Sequence, residues 1–340
     1  MHLLIDTRLT SASDIPFLHY ALLWADVWKI YHPHDDISFL AHEDDPHISY
    51  DCIRVRKTWH NFSKKKIASH NHGPERVISF SRLPPYDRSI KQVSHISDIA
   101  PILYPSKPLK GIEYRWRLHE YKNLLSHSHS IIIPHRDTLS TLSELFSPEE
   151  EKITVIPYLH PLDDEVYKIR TILPHGIFGD YFITEGAEGL EWRPLELIEA
   201  YATYVHRMGG KEKLIILGDV GDNLGVMSSM IRTLDLLDSI KIIGTLSREE
   251  RELLYVHAIG WIYAGSYYSR GASIGLASGY NIPLFFTDIS GLRNYTGIYF
   301  HPNHLERLPE LLRKEKNKYQ IQVKANNEAI MEVYSRIISE

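Results

Sequence analysis

Residues Ser247 to Leu292 read SREERELLYVHAIGWIYAGSYYSRGASIGLASGYNIPLFFTDISGL. A helical pattern over Arg248–His257 gives way to an apolar run at Trp261–Ala264. A second helical pattern covers Gly271–Gly279, and a second apolar run covers Leu284–Thr287. Short strands separated by helices imply right-handed crossovers and a parallel sheet. From Leu253 to Thr287 the stretch holds no Asp and no Glu. Parallel sheets of this kind take their ligands at the carboxyl ends of the strands, so this acid-free interval bears directly on function.

The same rhythm extends outward in both directions. Toward the amino end lie apolar runs at Tyr181–Glu185, Lys213–Leu217 and Lys241–Ile243, with helical patterns at Pro194–Arg207 and Val226–Leu237. Toward the carboxyl end lie Ile298–Phe300, a helix at His304–Lys314 and a last helical stretch at Tyr319–Ile338. The first half repeats the scheme with strands at His2–Asp6, Ile37–Ala41, Cys52–Arg56, Val77–Ser81, Gln92–Ile96, Ser130–Pro134 and Ile153–Pro157. Helices are expected near Ile15–Ile30, Leu109–Leu125 and Thr138–Phe146. Asp137 is placed to cap the last of these and Ser147-Pro148 to close it. The expectation is an α/β protein with two Rossmann-like domains, their parallel sheets facing a cleft. We expect domains at 1–165 and 166–318, with 319–340 forming a helix that crosses back to the first.

Composition narrows the function classes. The chain has 340 residues, 43% hydrophobic and 24% charged, with a net charge of −5. Two ordinary cores fit that length, and no basic field points to nucleic acid. The apolar runs are too short to span a bilayer. MHLLIDTRLT meets Asp6 and Arg8 early, which suits a buried strand better than a secretion signal. The single cysteine, Cys52, excludes an intrachain disulfide and fits a reducing compartment, so a cytoplasmic location is expected. The run Lys64-Lys65-Lys66 suits a solvated loop or peripheral contact with an acidic acceptor or membrane surface.

Histidines number 20, with pairs at His32/His34, His70/His72 and His127/His129. Alternate residues on a strand share a face, so chelation is sterically open. Each pair nevertheless sits among Ser, Pro, Asn or Asp, as exposed turns do, and no cysteine joins it. We expect no metal and no cofactor.

Several phrases occur in one order: KITVIP at 152–157, YFITEGAEGLEWRPLELIEAY at 181–201, KLIILG at 213–218, NIPLFFTDISGL at 281–292 and GIYFHP at 297–302. Upstream, VSHISDIAPILYP occupies 93–105. This ordered set resembles the family-4 retaining glycosyltransferases of GT-B fold, over nearly the whole chain. The resemblance implies that the second domain holds a sugar nucleotide and the first an acceptor. It also implies a glycine-bearing loop after the first strand, an Arg and a Lys for the departing diphosphate, and two glutamates for donor sugar and ribose.

This sequence departs from that pattern at each place. Leu9–Tyr20, LTSASDIPFLHY, has no glycine; Ser13 or Asp14 suits a helix cap there instead. The histidine of the family's His-Asp pair falls on Ser97, with Asp98 retained and His95 two residues earlier. The phosphate cations fall on Ala187 and Trp192, with Arg193 one residue away, among the acids Glu185, Glu188 and Glu191. Those acids suit a solvated loop and would repel a diphosphate. The two glutamates fall on Tyr268 (or Ser269) and Leu276. A leucine accepts no hydrogen bond, and each unpaired buried hydroxyl costs about 1–3 kcal/mol. GDVGDNLG at 218–225 misses the dinucleotide spacing, and Asp219 and Asp222 disfavour an anion.

Three functions follow as expectations. One is a catalytically weak or inactive pseudo-glycosyltransferase that supports an active glycosyltransferase or another glycan-assembly protein. A second is an active hexosyltransferase taking its sugar from a nucleotide-sugar donor in a rebuilt site. There Arg193 or Arg270 would meet the diphosphate, Gly271 would allow close backbone approach, Tyr268 would line the donor and Asp98 would lie near the acceptor. The third is a carbohydrate- or nucleotide-binding module that stacks ligands on Tyr267, Tyr268 and Trp192.

Overall fold

The structure is a computed structural model, and it describes residues 1–8, 15–45, 48–55, 73–81, 90–96, 99–103, 111–161, 173–186, 192–268, 272–289, 292–293, 295–315 and 327–340. The chain divides into two compact units. The first comprises Met1–Ile102, Lys107–Leu159 and Asn326–Glu340; the second comprises Leu103–Ser106 and His160–Ala325.

In the first unit the strands are β1 (His2–Asp6), β2 (Asp36–His42), β3 (Asp51–Val55), β4 (Arg76–Ser79), β5 (Lys91–His95), β6 (Ser130–Ile133) and β7 (Ile153–Val155). They form a sheet ordered β3-β2-β1-β4-β5-β6-β7, parallel throughout, with Leu4 opposite Ser38 on one side and Val77 on the other. Around it lie α1 (Ile15–Tyr31), α2 (Ala100–Leu103), α3 (Gly111–His127), α4 (Arg136–Phe146) and α10 (Asn327–Ser339). Every residue of β1 is buried, as a central parallel strand covered on both faces requires.

The second unit repeats the plan. Its strands are β8 (Tyr181–Glu185), β9 (Lys213–Leu217), β10 (Ile240–Ile243), β11 (Gly260–Tyr263), β12 (Leu284–Thr287) and β13 (Ile298–Phe300). They are parallel in the order β10-β9-β8-β11-β12-β13. The helices are α5 (Pro194–Met208), α6 (Asn223–Thr233), α7 (Arg248–Val256), α8 (Ala272–Gly279) and α9 (Leu308–Glu315). Phe182 sits at the centre of the core, edge-on to Tyr201, Tyr204 and Phe285 with centroids 6.0–6.5 Å away. In both sheets the first strand lies between the second and the fourth. The strand order therefore reverses there, opening a crevice at its carboxyl end.

One local expectation is corrected. Asp137 does not cap α4. The extended residue at the cap is His135 (φ −141°), which follows Pro134, and Asp137 falls inside the first turn. Ser147 does close that helix, in the left-handed region at φ 45°. The described part of the final helix is Asn327–Ser339; residues 316–326, including Tyr319, lie outside the described residues. Ser13, Asp14 and Lys64–Lys66 also lie outside them. No described helix is long and apolar enough to cross a membrane.

α10 packs into the core of the first unit. Its Tyr334 lies edge-on to Trp24 of α1, centroids 5.5 Å apart, and stacks on His95 at the end of β5. The Tyr334 hydroxyl is 3.1 Å from His95 Nε2.

Candidate functional site

The carboxyl edge of the second sheet is where a ligand would sit, and its centre is the end of β8. That strand is buried up to its last residue, Glu185. The following turn packs tightly. A Cβ on Gly186 would lie 2.6 Å from Val220 Cγ1, and Gly218, after β9, holds φ 92°. Only glycine adopts that backbone freely.

α7 begins with a capping box. The Ser247 hydroxyl accepts the Glu250 amide, and the Glu250 carboxylate accepts the Ser247 amide. With the helix start fixed, Arg251 and Tyr255, one turn apart, both face inward and are buried. Arg251 donates from Nε to Glu185 Oε1 at 2.8 Å, with Nη2 also 2.8 Å from that oxygen. Nη2 donates as well to Ser273 Oγ on α8, at 3.0 Å. The Tyr255 hydroxyl donates to the same Glu185 oxygen at 2.7 Å, and the guanidinium carbon lies 5.5 Å from the Tyr255 ring centroid. Burial opposes the charge on Arg251, but the Glu185 carboxylate outweighs it and holds the pKa above the usual arginine value. Burial, joined by Glu185, pushes the Tyr255 phenol well above 10 and keeps it a donor. Glu185 is therefore no solvated acid; its side chain is 13% exposed and engaged. Glu188 and Glu191 lie outside the described residues.

The start of α8 is occupied from within. Tyr268, at the expected position of the first acid, is 6% exposed. Its ring is edge-on to Tyr263 and Trp261, centroids 4.7 and 5.9 Å away. Its hydroxyl accepts the backbone N–H of Ile274 at 3.1 Å. A helix's first amides are the groups that would otherwise meet a phosphate. Leu276, at the second acid position, lies in the apolar core. Trp192 is fully buried. Neither Trp192 nor Tyr268 presents a ring face on which a ligand could stack, which corrects that expectation. Tyr267 is half-buried, and its carbonyl accepts the Tyr263 hydroxyl.

Arg193 caps α5 from the left-handed region, at φ 53°. It donates to Glu196 at 3.2 Å and to the Pro302 carbonyl. A pattern follows for the segments leaving the carboxyl ends of β8, β10 and β12. Arg193 pairs with Glu196, Arg248 with Glu252, Arg251 with Glu185 and Arg293 with Asp288. Asp98, Ser97, Ala187, Ser269, Arg270 and Gly271 lie outside the described residues. In GDVGDNLG, Asp219 Oδ1 accepts the Gly221 amide at 2.9 Å and so shapes the turn.

The first unit has the same feature at its own reversal point. Arg8 grips Asp6 with two parallel bonds, Nε to Oδ1 at 2.8 Å and Nη2 to Oδ2 at 2.7 Å, and both residues are buried. Ser81 Oγ donates to the Arg8 carbonyl at 3.0 Å. His95 is sealed between the Phe80 and Tyr334 rings, and burial pushes its pKa down to about 3. It is a neutral core residue. Among the described residues no group of three or more His, Cys, Asp or Glu could hold a metal ion. His32 instead bonds Ser335 Oγ at 2.7 Å, and His127 Nδ1 bonds the Asn123 carbonyl at 2.8 Å.

The sequence reading missed Arg251, Tyr255, Ser273, Asp6 and Arg8. The available signal was weak: an arginine one turn before a tyrosine on a helix face that also carries Leu254.

No family model and no curated protein sequence matches the chain. Solved structures do. The chain superposes on WaaG, a glycosyltransferase involved in lipopolysaccharide biosynthesis, with a TM-score of 0.65 and 14% identity over 100% of both chains. Sucrose-phosphate synthase from Thermosynechococcus elongatus gives a TM-score of 0.66 at 12% identity, over 100% of this chain and 96% of that one. Anabaena HepE, in complex with UDP-glucose, gives 0.67 at 13%, over 100% and 98%. The two parallel-sheet units thus have the fold of GT-B glycosyltransferases.

Proposed function

We propose that this chain is a pseudo-glycosyltransferase of glycan assembly, a GT-B scaffold with an eroded donor site that supports an active partner. One observation carries the reading: Glu185 takes up Arg251 and Tyr255 at the centre of the ligand edge. Tyr268 and Leu276 extend it, since the positions expected to hold the donor's hydroxyls are a helix-capping phenol and a core leucine. A donor's diphosphate would have to displace a carboxylate that is already held by three donor groups. That exchange leaves the Glu185 carboxylate largely buried and without its cation, which is strongly unfavourable. Anabaena HepE binds UDP-glucose, so uridine nucleotides are the first ligands to test.

The test is calorimetric titration of the purified protein with UDP, GDP and their common sugar conjugates. The expected result is no heat of binding at millimolar ligand. Micromolar binding of any one nucleotide would overturn the proposal in favour of an active hexosyltransferase, and mutation of Arg193 and Arg270 would then locate the diphosphate.

A further inference from the structure

The amino edge of the second sheet lies opposite the ligand edge. It displays the two most exposed large apolar side chains among the described residues of that unit, Phe178 (77%) and Leu237 (65%). Each stands on a braced turn. Ile177, just before Phe178, is buried, and so is Leu236, just before Leu237. His175, Gly176 and Gly179 bend the first turn and Asp235 the second, all in the left-handed region. The Lys241 ammonium donates to the His175 carbonyl. The Ser239 and Ile240 amides both donate to the Leu236 carbonyl, at 3.0 and 2.8 Å. The start of β9 joins the two turns. Its Lys213 amide donates to the Asp180 carbonyl at 3.0 Å, and its Leu214 amide donates to the Ser239 carbonyl at 2.8 Å. The turns therefore flank one strand, with about 10 Å between the strands on either side of it. Each apolar tip stands two residues from its attachment.

We infer that this edge pairs with the same edge of a second copy of the chain, giving a two-fold symmetric dimer. Apolar side chains at the centre with charge around them are the anatomy of a protein interface, and turns already fixed lose little freedom on docking. The charges decide the partner. Three segments meet here, 173–180, 209–213 and 232–241. They carry Lys211, Lys213, Arg232 and Lys241 against Asp180, Glu212, Asp235 and Asp238. Equal numbers of both signs suit a face that meets itself, because a two-fold axis sets different positions of the two copies against each other. An anionic lipid surface or a nucleic acid would call for one sign. The segments are also long enough, since a standard interface draws about 20–30 residues from each side. A dimer through this edge leaves the ligand edge free, whatever the state of the donor site.

Sedimentation velocity of the full chain from about 1 to 100 µM tests it, the range in which a weak interface of standard size assembles. A shift from monomer to dimer with concentration is expected. Phe178→Ser/Leu237→Ser should raise the dimer dissociation constant about a hundredfold or more, because the axis uses each side chain twice. Both residues are exposed, so far-ultraviolet circular dichroism should be unchanged. Charge reversal gives a second reading. Lys211→Glu/Lys213→Glu and Asp180→Lys/Asp238→Lys should each be monomeric alone, and an equimolar mixture of the two should dimerise. A wild type that stays monomeric across the range would overturn the dimer. So would a dimer that the apolar variant leaves intact, or a mixture of charge variants that stays monomeric. A monomeric chain that holds a different protein through Phe178 would also overturn it, and would assign the edge to that partner.

Discussion

Arg251 and Glu185 lie 66 residues apart in sequence, yet a 2.8 Å ion pair joins them at the carboxyl end of β8. The pair ties α7 to the sheet, and through Ser273 it also ties α8. Removing one partner leaves a buried charge, at a cost of about 3–5 kcal/mol, whereas replacing both with apolar groups is far milder. Glu185→Leu and Arg251→Met should each destabilise by that amount in urea denaturation, and the double variant by clearly less than their sum. Additive losses would show that the two side chains act independently.

Tyr268→Phe should lower stability by about 1 kcal/mol, because the Ile274 amide loses its acceptor. Equal urea midpoints for variant and wild type would mean that this contact contributes nothing.

Ser247→Ala removes half of the capping box on α7. The expected loss is about 1 kcal/mol. Ser247→Asp should recover most of it, which separates capping from packing in the same assay.

His95 has a folded pKa near 3 against 6.5 when exposed. As pH falls below 6.5 the unfolded chain takes up the proton first. Stability is therefore fully present above 6.5 and declines from there down to 3. Between pH 7 and pH 5 this one residue should remove about 2 kcal/mol. His135, lowered by burial to about 4, declines in the same sense. In His95→Phe the drop between the two pH values should shrink by that amount; an unchanged drop would show that His95 is protonated in the folded protein.

The alternation of strands and helices was legible because parallel strands covered on both faces read as apolar runs, of which β1 and β9 are clear cases. The boundaries of β8, β9, β12 and β13 coincide with the sequence expectation. The start of α4 was misread because Asp137 looks like a cap, and only the backbone of His135 shows the helix beginning earlier. At the candidate site, the absence of acids at Tyr268 and Leu276 was visible in the sequence. The contacts made there were not. Glu185 reads as one acid among three until α7 carries Arg251 to it, and such pairing between distant elements leaves no local pattern. Asp6 and Arg8 are adjacent enough to suspect, but their burial depends on the whole first sheet.

The insertion of Tyr334 beside His95 and Trp24 fixes an order of events during synthesis. The second unit is nearly continuous, from His160 to Ala325, and emerges from the ribosome whole. The first unit, although begun earlier, lacks a piece of its interior until residues 326–340 arrive. Folding of the first unit is thus completed out of chain order, and until then Trp24 lacks one of the rings that cover it.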